Sequence, residues 1–114
     1  MKMTRAEYLK ARGWLFEPEG DGFDASVQWI DYPGRGEMLA LPDAITVQLA
    51  RDADRERKEW SGGYDSALGE FIRYDIAEGG DGHTNRSIYS PLAGDIADCK
   101  LAEHRKRFAV EFTD

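Results

Sequence analysis

Apolar and polar positions recur with two different periods along this chain, and each change of period marks an element. Thr4-Arg5-Ala6-Glu7 has the spacing of a capping box. There a threonine hydroxyl and a glutamate carboxylate each satisfy a helix amide that lacks a partner. Tyr8 and Leu9 follow, and Gly13 supplies a stop, so the pattern predicts a helix of about two to three turns. A helix this short holds only when docked on something larger. Two Trp-bearing runs offer the dock, Gly13-Trp14-Leu15-Phe16 and Val27-Gln28-Trp29-Ile30. With a two-residue period, Trp14 and Phe16 share one side of a strand, as do Val27 and Trp29. The pattern predicts a hairpin or small sheet over 13–17 and 25–31, joined by turn-rich Glu17 to Gly22 and followed by a turn at Asp31-Tyr32-Pro33-Gly34. A short third strand is expected over 37–41.

From Pro42 the period lengthens. Proline suits the first position of a helix, and Asp43 adds negative charge near the positive end of the helix dipole. Ile45, Leu49 and Ala53 recur every four residues as a narrow apolar stripe, and the charged run 51–59 reads as a solvated helical face. Ser61-Gly62-Gly63 is expected to end this helix near Trp60. A second helix is predicted over 67–77, capped by Asp65-Ser66. Glu78 to Asn85 reads as a glycine-rich loop. A third long helix is expected over 91–106 with Leu92, Ile96 and Cys99 on its inward side, and 107–113 alternates as a C-terminal strand. Together these predict an α+β single domain over 1–114, with two or three longer helices and a small, mostly antiparallel sheet.

Composition sharpens this picture. A chain of 114 residues with 41% hydrophobic and 32% charged residues has the make-up of one folded core. Its single cysteine, Cys99, makes an intramolecular disulfide impossible. Every apolar run is too short or too interrupted to span a bilayer, so a cytoplasmic location is the default expectation. The net charge of −7 is unevenly placed, since residues 61–99 carry 2 basic and 7 acidic side chains. Duplex binding requires a basic stripe to displace counterions, and none is visible. Direct nucleic-acid binding is therefore not expected; a basic protein partner is compatible.

The candidate chemistry is sparse. Glu78-Gly-Gly-Asp81-Gly-His83-Thr84-Asn85 exposes amides that can wrap an anion, yet it lacks a phosphate-loop lysine. Glu17-x-Glu19-x-Asp21-Gly22 echoes the start of a calcium loop, but its twelfth position is Gln28 where a bidentate Glu is required. Cys99 and His104 stand five apart on a helix and project in different directions, so they make no local nucleophile–base pair. No catalytic residue, metal site or cofactor is assigned. Tyr32, beside a turn proline, and Trp60, closing a charged helix, are the least core-like aromatics. With the acidic residues Asp75, Glu78 and Asp81 they form the expected protein-binding set.

Tyr8-Leu9-x-x-x-Gly13-Trp14, then Trp29-x-Asp31-x-Pro33, then Ala44-Ile45-x-x-Gln48-x-x-Arg51-Asp52 resembles small uncharacterised accessory proteins of tailed phages and prophages. The resemblance covers residues 8–52. It departs at Tyr32, which separates the acidic residue from Pro33. What it implies is a setting in which small acidic proteins act stoichiometrically on host machinery, including nucleic-acid-handling defence complexes such as CRISPR effectors. The leading expectation is a non-catalytic, anti-CRISPR-like protein that binds and inhibits a host protein. A small enzyme or ligand sensor using loop 78–85 is the alternative, and a virion or assembly component the third.

Overall fold

A computed structural model describes residues 1–18 and 28–114. The element order is β1 (Lys2–Met3), α1 (Arg5–Ala11), β2 (Leu15–Phe16), β3 (Trp29–Ile30), β4 (Met38–Leu39), α2 (Leu41–Ala77), α3 (Arg86–Phe108) and β5 (Glu111–Phe112). The fold is α+β, with a three-stranded antiparallel sheet ordered β2-β3-β4 and a separate parallel pair of β1 and β5. The chain divides into two compact units, Met1–Ala53 with Ala109–Asp114, and Asp54–Phe108. The calcium-loop echo over 17–22, Val27 and the start of the expected strand 25–31 fall wholly or partly outside the described residues.

In the first unit, local signals decide α1. Thr4 Oγ1 accepts from the Glu7 amide at 3.2 Å and Glu7 Oε1 accepts from the Thr4 amide at 3.0 Å, so both halves of the capping box form. At the other end Gly13 takes φ 92°, the left-handed conformation that only glycine adopts without strain. The Trp14 amide then donates back to the Leu9 carbonyl at 3.0 Å and the Gly13 amide to Lys10 at 3.1 Å, closing the helix in a Schellman motif. The antiparallel register sets Leu15 opposite Ile30 and Phe16 opposite Trp29, and β4 adds to β3 with Trp29 opposite Leu39. The core collects Tyr8, Leu9, Trp14, Trp29, Ala44 and Ile45. Trp14 is buried while Phe16 stays exposed, tilted against Trp29 at 5.0 Å.

The first part of α2, 41–53, packs on this sheet with a phase different from the predicted one. Ala44, Ile45 and Gln48 are buried, whereas Leu49 and Ala53 are exposed. Helix α2 also begins at Leu41, one residue before the proline, with the Ala44 amide bonded to the Ala40 carbonyl. Strand β1 carried no sequence signal; its pairing with β5 places Lys2 opposite Glu111 and Met3 opposite Phe112. That pairing covers the core, since Phe112 meets Tyr8 edge-on at 5.3 Å.

The second unit is a hairpin of antiparallel helices, residues 54–77 of α2 and α3. Ser61-Gly62-Gly63 does not end the first helix, which runs on to Ala77 with Asp65 and Ser66 in its interior and not at a cap. Each helical glycine costs up to about 1 kcal/mol relative to alanine. Gly63 is buried against α3, and a Cβ built on it would stand 3.7 Å from Ala97 Cα, an ordinary packing contact. Gly63 and Ala67 on one helix and Ala93 and Ala97 on the other are all buried, so small residues let the two backbones approach closely. This sets the phase of α3. Leu92, Ile96 and Cys99, expected inward, are exposed. Helix α3 begins at Arg86, five residues before Pro91, which sits inside it.

Candidate functional site

Among the described residues, one dense polar cluster lies in the first unit, where α1 meets α2. Asp52 accepts from the Tyr8 hydroxyl, from Arg12 Nη2 at 3.3 Å and from Gln48 Nε2 at 3.0 Å. Gln48 in turn accepts from Trp14 Nε1 at 2.9 Å. Burial opposes ionisation of Asp52, but the hydrogen bonds from Tyr8, Arg12 and Gln48 outweigh it and hold the carboxyl below its ordinary range. Burial, then the hydrogen bond and charge of Asp52, push the Tyr8 phenol upward. A second pair stands beside it. Arg51 grips Asp31 in a two-point contact at 2.8 and 2.7 Å, and Asp31 Oδ1 also accepts from the Gly34 amide at 3.0 Å. The Arg51 hydrogen bond, acting against burial, lowers the Asp31 pKa.

Every carboxylate in this cluster has its oxygens engaged, and Tyr8 and Asp31 are buried. The cluster is a lock between α1, the 31–36 turn and α2. Reading 51–59 as a solvated face missed it, although Gln48 and Asp52 stand four apart beside the buried Ile45.

In the second unit, Asp75, at the end of α2, accepts from the Gly82 amide at 3.0 Å and from Asn85 Nδ2 at 3.3 Å. A hydrogen bond from Tyr89, then that from Gly82, lowers its pKa. Asp81 accepts from the His83 and Thr84 amides, each at 2.8 Å, and from the Thr84 hydroxyl at 2.6 Å, which together depress its pKa strongly. These two carboxylates build the turn between α2 and α3. Glu78 is exposed and its carboxylate enters no ion pair or hydrogen bond among the described residues. The three acids named from the sequence therefore share one end of the hairpin but not one role.

Trp60 lies elsewhere on the hairpin. Its Nε1 donates to Asp98 at 2.7 Å and its ring stacks on Tyr64 at 5.4 Å, so the side chain is occupied within the unit. Tyr32 is 69% exposed on the turn of the first unit. His104 packs on Phe108 at 4.8 Å, and Cys99 takes no part in that contact. The depressions on the hairpin are open grooves; one, of about 520 Å³, is lined by Asp98, Leu101, Ala102, Arg105 and Lys106. Among the described residues no three His, Cys, Asp or Glu side chains group as metal ligands, and no helix is long and apolar enough to cross a membrane.

Three exposed apolar residues escaped the sequence reading as a surface feature. Ile88, Leu92 and Ile96 form one row along α3, spaced four apart, at 58%, 44% and 37% exposure. The chain matches no protein-family model, no curated protein and no solved structure.

Proposed function

We propose that this chain is a non-catalytic accessory protein of phage type that binds a protein of the host cytoplasm and blocks a basic surface on it. The target class is a nucleic-acid-handling defence complex, whose own ligand is a polyanion. The observation that carries the reading is charge at the α2–α3 turn. Residues 61–97 hold six acidic and two basic side chains, and Glu70 and Glu78 are exposed with no partner among the described residues. Such an excess speeds encounter with a basic surface and disfavours acidic ones.

The test is reconstitution of the full chain with a partner identified by affinity capture, followed by association kinetics at several salt concentrations. Glu70→Gln with Glu78→Gln should slow association several-fold at low salt and little at high salt, leaving dissociation nearly unchanged. Association that ignores both the substitutions and the salt would refute the reading. Recovery of a tightly held metabolite in place of a stoichiometric protein would favour a ligand sensor.

A further inference from the structure

The sequence has two Asp-Gly steps, 21–22 and 81–82, and the first lies outside the described residues. An Asp-Gly step is open to self-attack, because glycine has no side chain to keep its amide nitrogen from the preceding carboxyl carbon. The α2–α3 turn uses both residues of the second step. Gly82 is buried at φ 78°, and a Cβ on it would stand 3.0 Å from Ile72 Cγ2 and 3.1 Å from Ile76 Cδ1, so the position is built for glycine. Asp81 accepts from the His83 and Thr84 amides just ahead of α3. The turn therefore retains a reactive step, and both reacting groups are tied down. The Gly82 amide donates to Asp75 Oδ2 at 3.0 Å, while the Asp81 oxygens are committed to His83 and Thr84.

We propose that Asp81-Gly82 is a latent isomerisation site, held closed by the Asp75 carboxylate and by the bonds Asp81 makes to residues 83 and 84, which reacts when the turn opens. The Gly82 nitrogen bonds to Asp81 Cγ as the bond from Cγ to its hydroxyl breaks, and the hydroxyl leaves as water with the amide proton. Water then opens the succinimide ring at either carbonyl. The product is aspartate or isoaspartate, whose backbone runs through the former side chain, and the water lost in closure is regained. Closure needs an amide that can shed its proton and a carboxyl that has gained one. The charge of Asp75 against the Gly82 amide opposes the first. The hydrogen bonds from Thr84, then His83, oppose the second by keeping Asp81 ionised. Isoaspartate carries an extra methylene in the backbone and cannot make the same bonds, so an opening long enough to react leaves a lasting mark on the turn. This inference is independent of the host-binding reading.

The full chain is aged at neutral pH and digested with trypsin, which releases residues 74–86 as one peptide. Electron-transfer fragmentation of that peptide separates isoaspartate from aspartate at position 81. The native chain should convert about tenfold slower, or more, than the same chain in concentrated urea, because only the open fraction reacts. Asp75→Ala should recover most of that difference, with slow hydrogen exchange in α2 and α3 showing that the helices persist. Glu78→Gln removes a charge from the same turn without touching either reacting group, and should convert at the native rate. If Asp75→Ala unfolds the hairpin, Asp75→Asn carries the comparison: it removes the charge, keeps an acceptor, and should convert faster than the native chain. A native rate equal to the urea rate, or a folded Asp75 variant no faster than the native chain, overturns the proposal. Glu78→Gln converting as fast as Asp75→Ala overturns the role given to Asp75.

Discussion

Replacing Asp52 by alanine should unlock the first unit more than any other single change at a polar residue. The variant removes the acceptor of three side chains at once: Tyr8, Arg12 and Gln48. Tyr8 is only 1% exposed, so its hydroxyl is left without water or acceptor. A hydrogen bond to a charged group contributes about 1.5–3 kcal/mol, and losing it strands a buried donor. The Arg12 pair, with side chains 21% and 23% exposed, adds roughly 1 kcal/mol, the upper end for pairs open to water. The sum is about 3 kcal/mol, a large share of the ~5–15 kcal/mol that holds a domain together. Urea unfolding followed by tryptophan fluorescence measures it. A Trp60→Phe background confines the signal to Trp14 and Trp29, both in the core of this unit. The midpoint should fall with little change in slope. Tyr8→Phe, which leaves Asp52 its other two partners, should cost about half as much. A loss below about 0.5 kcal/mol for Asp52→Ala would show that the network is incidental to the fold.

Three further outcomes follow from the geometry. Acidification should weaken the first unit below pH ~4, the ordinary carboxylate value, because Asp31 and Asp52 titrate lower when folded; their contribution is complete above that pH and is lost as pH falls through the folded values. Tyr8, whose pKa is raised, contributes fully below pH ~10 and loses that contribution as pH rises beyond it, and fluorescence-detected unfolding across pH in Asp52→Asn should show a flattened acid limb. Gly62→Ala meets open space within a helix, and Gly63→Ala brings a Cβ only into ordinary contact, so each should stabilise by up to about 1 kcal/mol in thermal melts, whereas Gly63→Leu should lower the melting temperature by driving α3 away. Asp75→Ala should speed hydrogen exchange at the Gly82 amide and expose the 78–85 turn to proteolysis, because that amide is bonded to the carboxylate.

What the sequence disclosed was local. The capping box and the Gly13 stop depend on neighbours within a few residues, so pattern alone finds them. The errors arise where a distant contact overrules a local preference. Gly62 and Gly63 favour a break, but Ala97 packs against Gly63 and the helix continues. Assigning the inward stripe of α3 to its largest apolar residues fails for a related reason: helices joined through small residues bury alanine and leave Leu92 and Ile96 outside. Gly63-x-x-x-Ala67 and Ala93-x-x-x-Ala97 were the available signal. The β1–β5 pair joins residues over a hundred positions apart and has no local trace.

The acidic end shows why residue identity alone could not rank the site. Asp75, Glu78 and Asp81 look equivalent as charges, and as sources of a long-range field they are, since hydrogen bonding lowers the pKa of Asp75 and Asp81 and keeps both ionised. They differ at short range. Asp75 and Asp81 spend their oxygens on the amides of Gly82, His83 and Thr84, so a partner that took those oxygens would have to dismantle the turn. For the basic partner proposed above, Glu78 is the one of the three that could both steer it and touch it. Neutralising Asp75 would therefore change the association rate and the fold together, whereas Glu78→Gln should change the rate alone. Only the second variant separates the field from the scaffold that carries it.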